Sequence, residues 1–265
     1  MNILSDRILS LEESQTIAMA RKSRELIDSG IDVISLSLGE PDFNTPDFIK
    51  DAAKKAIDNN FSHYTPVPGL NSLRDAISKK FKRDNRLDYT ADQIVASTGA
   101  KQSLAQLLMA IVNPGDEIIV PAPYWVSYFQ MVKMAEGTPV VIEATVDADF
   151  KVTGKQVEQA INSKTKAFLF STPCNPTGSV YSKNELAELV KVFEKYPNII
   201  IISDEIYEHI NFMGEHISIG QFDSIKDRVV TVNGVSKGFA IEQVAEVVWP
   251  CILLQAAASH FGAPK

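Results

Sequence analysis

Four short polar segments each follow a run of apolar residues, and each carries a side chain with its own chemistry. Lys237 lies in Asn233-Gly234-Val235-Ser236-Lys237-Gly238. An amine among small residues can be partly buried and act as nucleophile or base, although most lysines are solvated surface charges. Asp204 lies in Ser203-Asp204-Glu205-Ile206-Tyr207. A carboxylate at the end of a buried run must find a cation or several donors, because burying it unpaired is costly. Asp204 or Ser203 can equally cap a helix. Asn175 stands between Pro173 and Pro176, which fix the backbone and aim one amide; an ordinary tight turn has the same composition. In Thr98-Gly99-Ala100-Lys101-Gln102, small residues lead into a helical run. The free N–H groups at such a start suit a phosphate, and small residues there also serve packing.

Other chemistries find less support. His63, His209, His216 and His260 share no spacing that would hold a metal, so no metal site is expected. Ser236 has no G-x-S-x-G context, which removes the nucleophile elbow of a serine hydrolase.

The elements that must position these residues follow from periodicity. Apolar runs at 94–97, 117–120, 139–143, 167–171, 199–203 and 229–232 read as strands. Helical spacing predicts helices over 17–29, 46–60, 70–83, 102–112, 153–162 and 183–196. Strands apolar throughout are buried on both faces, as in a parallel sheet covered by helices. The expectation is an α/β domain, a three-layer mostly parallel sheet with flanking helices. Ligands in such sheets collect beyond the carboxyl ends of the strands, where the four polar segments stand.

Composition sets the bounds. The chain has 265 residues, 45% hydrophobic and 22% charged, which excludes disordered and low-complexity classes. Twenty-six Lys and Arg against 33 Asp and Glu give a net charge of −7, no footprint for nucleic acid or anionic lipid. The two cysteines, Cys174 and Cys251, make no disulfide framework. The most apolar stretch, 244–258, is interrupted by Glu246, Pro250 and Gln255, too short to span a membrane. The N-terminus lacks the layout of a secretory signal, so a cytoplasmic location is expected.

Seven motifs in order give the chain a family. LSLGEPDF (36–43), HYTPVPGL (63–70), STGAKQSL (97–104), NPGDEIIVPAPYWVSY (113–128), NPTG (175–178), DEIY (204–207) and VNGVSKGFA (232–240) resemble the pyridoxal-phosphate aminotransferases of the aspartate aminotransferase type. The resemblance implies the large domain of fold-type I, pyridoxal 5'-phosphate as cofactor, and a homodimer with shared active sites. It also implies amino-group transfer between an aspartate-like amino acid and a 2-oxo acid such as 2-oxoglutarate.

By the same resemblance, Lys237 bonds to the cofactor aldehyde and carries the proton between substrate and cofactor. Asp204 pairs with the ring nitrogen, Asn175 and Tyr207 hydrogen-bond the ring 3-oxygen, and Trp125 stacks on the ring. Gly99, Ala100 and Lys101 lie at the phosphate, and Tyr64 reaches the phosphate of a neighbouring subunit. Gly39, with Trp125 and Asn175, lies at the substrate. The implied division is an N-terminal arm and part of a small domain over 1–45, a cofactor-binding large domain over 46–240, and a non-family tail over 241–265. The arginines that the family places after Ala240 have no counterpart here, since no arginine follows Arg228. The alternatives are therefore an impaired or inactive remnant of the family, or a pyridoxal-phosphate lyase on the same fold.

Overall fold

Five apolar runs pair side by side in the computed structural model, which describes residues 3–12, 15–36 and 39–241. The tail expected over 241–265 lies outside the described residues from 242 onward. In chain order the helices and strands are α1 (Asp6–Leu9), α2 (Gln15–Asp28), α3 (Asp47–Asp58), α4 (Asn71–Asn85), α5 (Gly99–Ile111), β1 (Glu117–Ala122), α6 (Ser127–Met134) and β2 (Thr138–Glu143). Then come α7 (Gly154–Ala160), β3 (Thr165–Ser171), α8 (Lys183–Lys195), β4 (Ile200–Asp204), β5 (Val229–Val232) and α9 (Ser236–Phe239). All strand pairs are parallel and the order is β2-β1-β3-β4-β5. The chain steps from β1 to β2 on one side and then returns to β3 on the other. Beyond the carboxyl end of such a switch lies a crevice.

Each central strand is apolar on both faces, and the two faces build separate cores. Ile119, Phe168, Phe170 and Ile201 pack against Val157 of α7 and against Leu186, Leu189 and Phe193 of α8. Their neighbours Ile118, Val120, Leu169 and Ile202 point the other way, onto Leu104 and Leu108 of α5 and Tyr128, Met131 and Val132 of α6. Period-two alternation with both sides buried makes the three layers that the sequence predicts. Helix α8 starts at a reciprocal cap, Ser182 accepting from Glu185 N–H while the Glu185 carboxylate accepts from Ser182 N–H.

One expected strand is absent. Residues 94–97 form no strand; Ile94 closes a short 3-10 turn, and Ala96 N–H donates to Pro68 O at 3.0 Å. A strand exists only through repeated pairing, and among the described residues this segment joins no sheet. It forms one wall of a groove of about 860 Å³ whose opposite wall is β5, the last strand of the sheet. Val95 points into the open, 69% exposed. Three helices went unexpected, α1, α6 and α9. Helix α6 follows an aromatic, proline-rich stretch whose local composition argues against a helix.

Candidate active site

Trp125, Asn175, Asp204 and Lys237 follow or end β1, β3, β4 and β5, so the parallel sheet delivers all four to its carboxyl edge. Asp204 is the last residue of β4 and is 3% exposed. Its Oδ2 accepts the Tyr128 hydroxyl at 2.6 Å, and its Oδ1 accepts Ile206 N–H at 3.2 Å. Burial pushes the Asp204 carboxyl up to about 6; the two donors pull it down, and the neighbouring Glu205 charge adds to the rise. No cationic side chain forms an ion pair with it among the described residues.

The remaining expected residues meet in pairs. Asn175 Nδ2 donates to the Tyr207 hydroxyl at 3.2 Å, which joins the two side chains expected at one oxygen of the cofactor. Lys101 Nζ sits 5.2 Å from the centre of the Trp125 ring. Lys237 Nζ donates to Gly39 O at 3.3 Å, across 198 residues of sequence. Thr45 makes a second tie, its hydroxyl donating to Ala240 O at 2.5 Å, so the N-terminal segment is fastened to α9 at two points. Helix α5 begins at Gly99 itself, with φ of +80° and open space where a Cβ would stand. No side chain caps its first turn, although Gly99 N–H itself donates to Ser97 O at 2.9 Å, so Ala100 and Lys101 stand in the first turn at the positive end of a 13-residue helix. Tyr64 stands apart, 98% exposed.

Sequence reasoning missed the polar layer behind the site. Lys80 and Asn85 of α4 both reach Glu208, Asn85 Nδ2 at 2.5 Å, and His209 Nε2 lies 3.1 Å from the same carboxylate. Burial works to raise Glu208, but His209, Lys80 and Asn85 hold it down at about 2. Glu205 accepts from Ser203 Oγ at 2.9 Å and Ser218 Oγ at 2.7 Å, and lies 2.9 Å from His216 Nε2. The fold thus brings Glu205, Glu208 and His216 within 4.8 Å of one another, a grouping that histidine spacing did not show. Both carboxylates are already occupied by protein donors, and the cluster works as an internal brace. Lys80→Met leaves Glu208 buried without its cation and is expected to cost about 3 kcal/mol in urea unfolding. A loss below about 1 kcal/mol would show that Asn85 and His209 suffice. Tyr128, also missed, had a signal: it stands three residues after Trp125, one turn on, and its N–H donates to Trp125 O at 2.9 Å.

The model of the family "aminotransferase class I and II" matches residues 31–259. The chain belongs to this aminotransferase family. A probable aspartate/prephenate aminotransferase of Rickettsia bellii is 47% identical over 243 residues, covering 91% of this chain and 61% of the relative. The chain therefore spans about three-fifths of the length of the curated relatives it matches. The aspartate aminotransferase of Rhizobium meliloti superposes with a TM-score of 0.92 at 34% identity, over 100% of this chain and 72% of that one. The Thermus thermophilus aspartate aminotransferase, solved with maleate, gives 0.88 at 38% identity, over 98% and 68%.

Aminotransferases of the aspartate type use pyridoxal 5'-phosphate, and the residues of this chain fit that group. The test is Asp204: a buried carboxylate held by two neutral donors has a place for a cationic ring N–H, and the uncapped start of α5 offers donors to a phosphate.

Proposed function

We propose that this chain serves amino-group transfer between an aspartate-like amino acid and a 2-oxo acid such as 2-oxoglutarate, with pyridoxal 5'-phosphate held at the carboxyl ends of β1, β3, β4 and β5. The observation that carries the reading is Asp204, a buried carboxylate with no cationic partner among the described residues, on the same sheet edge as Lys237. When bound, the cofactor supplies an electron-withdrawing ring that stabilises negative charge left on the α-carbon of the amino acid.

The chain's own residues divide the remaining work. Asp204 keeps a proton on the ring nitrogen, since its carboxylate gains a cationic partner only while that nitrogen is protonated. Asn175 and Tyr207, already joined by a hydrogen bond, orient the ring by its 3-oxygen. Trp125 covers one ring face, and Gly99, Ala100 and Lys101 hold the phosphate with backbone N–H groups and a cation. Lys237 Nζ anchors the cofactor aldehyde and moves the proton off the substrate α-carbon. Gly39, hydrogen-bonded to that amine, borders the substrate with Trp125 and Asn175. The dicarboxylate maleate in the Thermus relative supports a substrate with two acid groups.

Exposure of Tyr64 supports a homodimer in which this residue reaches the partner's phosphate. The division into an arm and part of a small domain over 1–45 and a large domain over 46–240 belongs to the same reading, as does a cytoplasmic location. No helix among the described residues is long and apolar enough to cross a membrane.

The test is a titration of the purified chain with pyridoxal phosphate, followed in visible absorbance, and then addition of aspartate and 2-oxoglutarate. Formation of glutamate and oxaloacetate in equal amounts is expected. Pyruvate and ammonia in their place would indicate a lyase, and a folded chain that takes up no cofactor would overturn the reading.

A further inference from the structure

Tyr128 lies where two of the cofactor contacts meet. It is 1% exposed, on α6, the helix that follows Trp125 directly. Its hydroxyl reaches Asp204 Oδ2 at 2.6 Å, although Asp204 ends a strand two places away in the sheet. Its ring meets Trp125 edge-to-face, centroids 5.5 Å apart at 86°. Burial, with the Asp204 charge beside it, holds the phenolic proton in place, so the hydroxyl acts as a donor. With Ile206 N–H on Oδ1, each oxygen of Asp204 has one donor and the plane of the carboxylate is fixed.

We propose that Tyr128 is a positioning residue that joins the two ring contacts of the cofactor, its hydroxyl aiming the Asp204 carboxylate and its ring edge buttressing Trp125. The inference rests on the reading under Proposed function. Tyr128 touches neither substrate nor cofactor. It sets the lone pair that Asp204 offers the ring nitrogen and the tilt of the indole over the ring face. Tyr128→Phe separates these parts, removing the oxygen and keeping the ring against Trp125.

The measurement is the dissociation constant of pyridoxal phosphate, read by absorbance for the full chain, beside that of the carbocyclic analogue with carbon at ring position 1. Tyr128→Phe is expected to weaken the natural cofactor about tenfold and the analogue by less than twofold, because the analogue has no nitrogen for Asp204. In an Asp204→Asn background the same substitution should have no further effect on the natural cofactor. Carbon-13 NMR of aspartate-labelled chain without cofactor supplies a second readout: losing the donor should move the Asp204 midpoint upward, with the Glu205 charge unchanged. Equal weakening of both ligands, or an unmoved Asp204 midpoint in folded protein, overturns the proposal. A wild-type chain that binds neither ligand overturns the proposed function, and the NMR midpoint still decides whether Tyr128 holds Asp204.

Discussion

Lys237→Ala is expected to abolish covalent retention of pyridoxal phosphate and to lower transamination by about 10⁴-fold or more. In the wild type, borohydride reduction should fix the cofactor to one peptide, the one containing Lys237; in the variant no peptide should carry it. The size of the effect follows from two tasks meeting in one atom. Nζ anchors the cofactor aldehyde and moves the proton of the α-carbon, and water performs the second task poorly. The fold should survive, because the side chain is half-buried at the tip of the sheet and the two core layers lie below it. Thr45 still holds α9 through Ala240 O. A small amine such as methylamine should restore part of the rate by entering the space left by the side chain. Labelling of Lys101 in the wild type, or an undiminished rate in the variant, would remove Lys237 from its role.

Asp204→Asn should pull stability and function in opposite directions. Burial raises the Asp204 carboxyl from the ordinary 3.8 to about 6. Between those values the folded chain keeps a proton that the unfolded chain has lost, so stability declines as pH rises through the interval and levels off above it. A shift of this size corresponds to about 3 kcal/mol at pH 8. Asparagine carries no such penalty and can accept Ile206 N–H with its oxygen while giving its amide to Tyr128. Without cofactor, the variant should therefore match the wild type near pH 4 and exceed it by about 3 kcal/mol at pH 8, as measured by urea unfolding. Its affinity for pyridoxal phosphate should fall on the order of 10²-fold, because the ring nitrogen loses a buried counter-charge. Equal stability at both pH values would mean that Asp204 is not the strained group its surroundings indicate.

The fold was legible wherever burial on both faces wrote itself into composition. The runs ending β1, β3 and β4 need no polar alternation, and their strands lie within a few residues of where the apolar runs place them. Residues 94–97 carry the same signature and form no strand, because pairing depends on a neighbour that local sequence cannot supply. The expected site residues were legible only as an ordered set. Taken locally, Asp204 reads as a capping residue, and the structure keeps part of that reading in its bond to Ile206 N–H. Gly99 and Ala100 read as a turn before the helix, whereas they are its first turn. The Lys80–Glu208 pair joins residues 128 positions apart, with no periodicity to connect them.

The place of β5 at the edge of the sheet formed by the described residues bears on how the site behaves as a mechanical object. Asn175 and Asp204 follow strands hydrogen-bonded on both sides, whereas Lys237 hangs from a four-residue strand that, among the described residues, is paired on one side only. Local opening takes the least free energy where strands are paired least. The carboxylate and the amine thus belong to parts of the sheet with different thresholds for opening, a rigid seat facing a compliant arm. Whatever stiffens the β5 edge, or the tether from Gly39 and Thr45, regulates the reach of the amine without touching the ring's other contacts.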